Sequence, residues 1–190
     1  MVALTISGEQ MDRLTKSLGK IRDGVPKALA AAINRTLNKG RTEIKRAIRK
    51  DYVIKAKDIP AKIKGASRYN PNGQLFIRDS MIDLNKFIVR PRGVQRRKNK
   101  KMLFVQVKTK GGKLMPHAFV AAMPSGYVGP FERRGKESLP IDKLFAIASA
   151  IMASQPHVIK AARDAMNETL DKSIGQQIDR VMAQAGGKKV

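Results

Sequence analysis

Apolar residues in this chain recur at helical spacing near both ends and cluster in short runs between them. Ser7-Gly8-Glu9-Gln10 has the form of a capping box, in which the serine side chain accepts from a backbone N–H three residues on and the glutamine returns the bond. Met11, Leu14, Leu18 and Ile21 then repeat every three or four positions, which predicts an amphipathic helix ending near Gly24. Pro26 suits the first turn of a second helix, since its fixed φ is helical and its missing N–H would be unpaired there anyway. Leu29, Ile33, Leu37, Ile44 and Ile48 carry its apolar stripe to about Lys50, and Gly40 interrupts the pattern and permits a bend. After Gln155-Pro156, a last helix is predicted to run toward Ala185, with Val158, Ala162, Met166, Leu170, Ile174, Ile178 and Met182 at every fourth position and Gly175 within it. Each step of four advances roughly 40° around a helix of 3.6 residues per turn. The stripe therefore winds, and either the helix bends around its own core or its far end packs on something other than its own domain, such as a neighbouring subunit.

Asp58-Ile59-Pro60 and Asn70-Pro71-Asn72-Gly73 punctuate the chain as turns. From Leu75 to about Arg134 short runs rich in β-forming residues follow: Leu75-Phe76-Ile77, Lys86 to Arg90, Met102 to Val107 and Ala118-Phe119-Val120. These predict a small antiparallel sheet. The expected fold is α+β, with N-terminal helices, a small antiparallel sheet bearing a basic loop, and a long C-terminal helix. We expect a single domain, with a helical arm over 1–57, a β-rich core over 75–145 and the C-terminal helix over 156–185, because 190 residues suffice for one modest core.

Charge changes this picture most. Thirty-nine Lys and Arg stand against 15 Asp and Glu, a formal +24, and such a field attracts polyanions: nucleic acid, a membrane surface, or an acidic face of another protein. Opposite the second helix's stripe lie Arg35, Lys39, Arg41, Lys45, Arg46, Arg49 and Lys50, with Glu43 the only acid between them; a charge run of this kind is usually a solvated face. No Asp or Glu occurs from Leu84 through Phe131, a segment holding eleven basic residues. Within it the polar loop from Arg90 to Lys101 cannot pack into a core. Arg90, Arg92, Arg96, Arg97, Lys98, Lys100 and Lys101 are its candidate partner-facing or DNA-facing residues. No aromatic residue is interleaved among them, so any DNA contact would go through phosphates without reading bases, while Phe87 and Phe104 nearby serve a core. Replacing Arg96, Arg97, Lys98, Lys100 and Lys101 by Ser is expected to leave folding intact and weaken assembly or DNA contact.

Catalytic patterns are missing. His117 and His157 each follow a proline and have no His, Cys or paired carboxylate at ligand spacing, and there is no cysteine. Lys110-Gly-Gly-Lys113 is a turn with basic flanks that lacks the spacing of a phosphate-binding loop. There is no nucleophile elbow, and the depletion of acids argues against a Mg²⁺-dependent nuclease. The expectation is a non-enzyme with no catalytic residues, no cofactor and no metal. The N-terminus lacks a signal-peptide pattern and no apolar stretch approaches the roughly 18 residues of a membrane span, so we expect a soluble protein made in the cytoplasm, without a membrane partner.

The residues also carry a resemblance. Val25-Pro26-Lys27-Ala28-Leu29-Ala30-Ala31-Ala32-Ile33-Asn34-Arg35-Thr36, continuing into the basic stretch through Lys57, resembles the opening of the minor tail protein Z family of long-tailed phages and prophages. His117-Ala118-Phe119-Val120, followed by Gly129-Pro130-Phe131-Glu132-Arg133-Arg134-Gly135-Lys136-Glu137-Ser138-Leu139-Pro140-Ile141, is similar to that family's Ala-Phe strand and its Arg-x-Gly-Lys to Leu-Pro-Ile segment; related tail-completion and neck proteins share the latter. The motif positions are Asn34, Arg35, Phe119, Arg133, Gly135, Lys136, Pro140 and Ile141. The resemblance implies a structural virion protein that completes the tail at its head-proximal end and enables head–tail joining. It implies a homo-oligomeric ring whose partners are a tail terminator, tube or head connector, with nonspecific contact to genomic DNA as a further implication, and with assembly in the host cytoplasm. The runner-up reading of the charge is a nonspecific basic nucleic-acid-binding protein.

Overall fold

The computed structural model describes residues 6–21, 23–78, 80–95 and 101–186. In chain order the elements are α1 (Gly8–Leu18), α2 (Gly24–Asp51), β1 (Ala61–Lys64), β2 (Gln74–Ile77), β3 (Met81–Asp83), β4 (Ile88–Arg90), β5 (Leu103–Gln106), β6 (Lys113–Met115), β7 (Ala118–Ala122), β8 (Val128–Arg133), β9 (Ile141–Lys143), β10 (Phe145–Ala148), α3 (Ser149–Ala153) and α4 (Pro156–Gly186). The fold is α+β. Among the described residues the strands form two two-stranded and two three-stranded antiparallel sheets, where a single small sheet was expected. The chain divides into two compact units, one of Met1–Ala47, Ala61–Arg78 and Ala153–Val190, the other of Ile48–Pro60 and Asp79–Met152. Among the described residues no helix is long and apolar enough to cross a membrane.

The first unit is helical with one hairpin. The capping box forms as its residues dictate: Ser7 Oγ accepts from the Gln10 N–H and Gln10 Oε1 from the Ser7 N–H. α1 stops at Leu18, short of Gly24: the Gly19 N–H makes the last i→i−4 bond, to the Thr15 carbonyl at 2.9 Å, and the Ile21 and Gly24 N–H groups then turn onto the carbonyls three residues back, Leu18 and Ile21, each at 2.9 Å. Leu29, Ile33, Leu37 and Ile44 are buried along α2, and so is Ile48, which belongs to the second unit. α2 runs helical through Gly40, so the glycine serves packing and makes no break there. A Cβ at that position would collide with Met166 Sδ of α4. The β1–β2 hairpin rests on α2 through Asn34, whose amide donates to the Ala66 carbonyl at 2.8 Å and accepts from the Ala66 N–H at 2.7 Å. Gly65 and Gly73 let the backbone come close: added Cβ atoms would meet Asn34 Oδ1 at 3.0 Å and Leu37 Cδ1 at 2.5 Å.

Along α4, Val158, Ala162, Met166, Leu170, Ile174 and Ile178 are buried, but Met182 is half exposed. Ser173, Gln177 and Val181 are buried in addition. Six steps of four residues would carry the stripe about 240° around the axis. The buried set instead shifts back by one residue near Ser173, so the helix keeps a continuous covered face within its own chain to Val181. The alternative, a far end left for a neighbouring subunit, is not needed to bury these residues.

In the second unit, β4–β5–β6 and β7–β8–β9 share a core of Leu84, Val89, Leu103, Val105, Ala118 and Val120. Phe87 is buried as expected, whereas Phe104 is only half-buried. Lys110 to Lys113 makes the β5–β6 turn, with Gly111 at φ +82°, and the Phe104 ring lies against Gly112, where a Cβ would collide with it.

Candidate functional site

The motif strand and the Arg-Gly-Lys segment come together through hairpin register. Phe119 pairs with Phe131, and Arg133, two residues further along β8, lies on the same sheet face and diagonal to Phe119. Its guanidinium sits 5.0 Å from the Phe119 ring centroid, so the ring's negative face holds the cation over β7. Arg133 pairs in turn with Ile141 of β9, which brings the two ends of the Arg-Gly-Lys to Pro-Ile segment side by side. Arg134 closes that connection with a bidentate bond to Asp142, 2.6 Å and 3.0 Å. The hydrogen bonds and opposite charge hold the Asp142 carboxyl below, and the Arg134 guanidinium above, its ordinary range.

Around this hairpin lies a cleft of about 730 Å³. Its walls include His117, Phe119, Glu132, Arg133, Gly135 and Lys136, together with Gln95 and Lys101 from the two ends of the basic loop. Those ends are tied to each other: the Gln95 amide donates to the Lys101 carbonyl at 3.2 Å and accepts from the Lys101 N–H. Arg96, Arg97, Lys98 and Lys100 lie outside the described residues. Arg90 and Arg92 are exposed but do not line the cleft. Gly135 and Lys136 are exposed, and a Cβ added at Gly135 would meet nothing within 4 Å. Intrachain packing therefore does not require glycine there. Pro140 is exposed and Ile141 half-buried.

Asn34 and Arg35 belong to the first unit, while the cleft is lined by the second. Asn34 is a structural clamp; Arg35 is exposed on α2.

A second polar cluster braces the same sheet. Asp83 accepts from the Tyr127 hydroxyl at 2.7 Å and from Lys143 Nζ at 2.8 Å, and Lys143 Nζ lies 3.9 Å from the Tyr127 ring centroid. Burial opposes ionisation of Asp83, but hydrogen bonds from Lys143, Tyr127 and the Asn85 N–H outweigh it, so its carboxyl sits below its usual range. Burial first, then the Asp83 carboxylate, push the Tyr127 phenol well up. A phenol held protonated by a carboxylate that is itself paired is a cross-brace, not a base. Gly129 makes room for it, since a Cβ there would collide with the Tyr127 oxygen. Among the described residues no group of three or more His, Cys, Asp or Glu is placed to hold a metal ion.

Sequence reasoning missed Gln95, Glu132 and Asp142. Glu132 and Asp142 lie opposite one another across β8 and β9, a juxtaposition that depends on strand register and that the sequence around either residue does not show. Compared with known proteins, residues 11–184 match the family model of the prophage minor tail protein Z (GPZ). No curated protein and no solved structure matches the chain.

Proposed function

Because the chain belongs to the prophage minor tail protein Z family, a family of structural phage-tail components, we propose that it completes the tail at its head-proximal end and makes it competent to join a DNA-filled head. The observation that supports this reading is the cleft, where Phe119, Arg133, Gly135 and Lys136 meet the clamped base of a basic loop. A cation held over an aromatic ring, beside backbone left bare at Gly135, suits docking against an acidic protein surface. In a homo-oligomeric ring each cleft is presented several times, and weak contacts gain avidity. The neighbours in this reading are the tail terminator, the tube or the head connector, with nonspecific contact to the genome along the DNA path and assembly in the host cytoplasm. No residue here is assigned catalytic work.

The test is electron microscopy of particles from the parent phage with the gene disrupted and then restored. Filled heads and full-length tails accumulating apart, or joining into particles that fail to deliver DNA, with repair on restoration, are the expected result; intact infectious particles without the gene overturn it. The second reading, nonspecific nucleic-acid binding, draws on the eleven basic residues between Leu84 and Phe131 with no acid among them. It requires the purified protein to hold DNA at moderate salt with a steep salt slope. A tail subunit instead forms defined rings or binds tails after nuclease treatment.

A further inference from the structure

A second concavity of the β-rich unit plays no part in the reading above. Val105, Val107, Met115, Leu144 and Ala146 line an apolar groove of about 400 Å³. Val105 belongs to the buried core, but Val107, Met115, Leu144 and Ala146 are only half-buried against it, and Phe145 beside them is 48% exposed. The core is thus left open along one side. Lys108, Lys110 and Lys113 rim the opening, all exposed, and among the described residues no acidic one lines it. β6 runs along the groove as an edge strand: among the described residues only β5 pairs with it, so its outer backbone groups face away from any partner strand.

These features ask for three things in one ligand. The floor needs apolar side chains, the rim needs carboxylates, and the edge needs an extended backbone that can pair with it. DNA satisfies the rim and leaves the floor bare. A second copy of this chain, itself +24, brings no net countercharge. We propose that the groove beside β6 docks an extended acidic segment of a partner protein, whose alternate apolar side chains enter the floor while carboxylates meet Lys108, Lys110 and Lys113. This stands independently of where on the tail the protein sits.

The test uses the purified, isotope-labelled full chain and amide chemical-shift mapping. The probes are a capped hexapeptide of alternating Glu with Ile, Val and Leu, a control with Ser at each apolar position, and a short DNA duplex. The apolar-acidic peptide is expected to shift the amides of residues 107–115 and 144–146. Combined Lys108→Glu, Lys110→Glu and Lys113→Glu, all at exposed positions, should weaken it by roughly tenfold or more, as reversal of close charge pairs does. Absence of shifts at millimolar peptide, shifts elsewhere, or equal shifts from the Ser control overturn the proposal. Shifts of these amides by the duplex but not by the peptide overturn it too, and make the rim a phosphate-binding surface.

Discussion

Replacing Asn34 by Ala should loosen the hairpin from α2 without touching either concavity. The side chain makes two hydrogen bonds to one residue, 2.8 Å to the Ala66 carbonyl and 2.7 Å from its N–H, and Ala66 is buried. Each such bond contributes about 0.5–1.5 kcal/mol net, and orphaning partly buried backbone groups adds a desolvation cost, so the loss is about 2–3 kcal/mol. For a chain of this size each kcal/mol is worth about 2–4 °C, which places the fall in melting temperature at roughly 5–10 °C. Asn34→Asp sharpens the argument. It keeps the acceptor for the Ala66 N–H but sets a carboxylate oxygen against the Ala66 carbonyl, so it should be as damaging as Ala at neutral pH and recover in part below about pH 4, where the protonated acid can donate. Circular dichroism melts and hydrogen exchange at the Ala66 amide read both effects. An Asn34→Ala chain that melts within about 1 °C of the parent, with Ala66 still protected, refutes the clamp.

Gly40→Val should destabilise by about 2 kcal/mol through overpacking against Met166, and adding Met166→Ala should recover part of the loss in chemical denaturation. The Asp83 carboxyl, held below its unfolded value, contributes stability that is present above about pH 4 and lost as pH falls through its lower folded value. Asp83→Asn should therefore flatten the acid limb of stability measured by urea titration, and an unchanged acid limb would remove the cross-brace from the account. Gly135→Ala, at a position with open space around it, should leave the melting temperature unchanged and reduce the yield of infectious particles; a normal yield would mean that the bare backbone there meets no partner.

What the sequence disclosed was local. The capping box of α1 needs only Ser7 and Gln10, and the stripes of α2 and α4 need only a period, so both were legible in the residues alone. Where a partner sits far along the chain, legibility ended. Gly40 reads only as an interruption of the stripe until Met166 is seen against it. Met182 fits a step of four but lies past the point where Ser173, Gln177 and Val181 take over, two of them polar residues that no hydrophobic count includes. β1 hides behind Lys62 and Lys64, and β9 is three residues whose strand character comes from β8. The cleft was half visible: its Phe119 and Arg133 to Lys136 stood out as motif residues, but their meeting with the loop base depends on register and on Gln95.

The first unit also has a history built into it. Its parts are bound across nearly the whole chain: Gln10 bonds Asp171, 161 positions away, and Lys27 bonds Gln184, 157 positions away. Since a ribosome delivers residues in order, at roughly 5–20 per second, α1 and α2 emerge with their apolar stripes bare; the β1–β2 hairpin follows at once to meet Ile33 and Leu37 of α2, but the rest waits through the synthesis of the remaining strands before α4 arrives. The β-rich unit has all its residues in hand by Met152. A nascent chain stalled after that point would leave bare the face of α2 that α4 covers, the side of Gly40 that meets Met166 included.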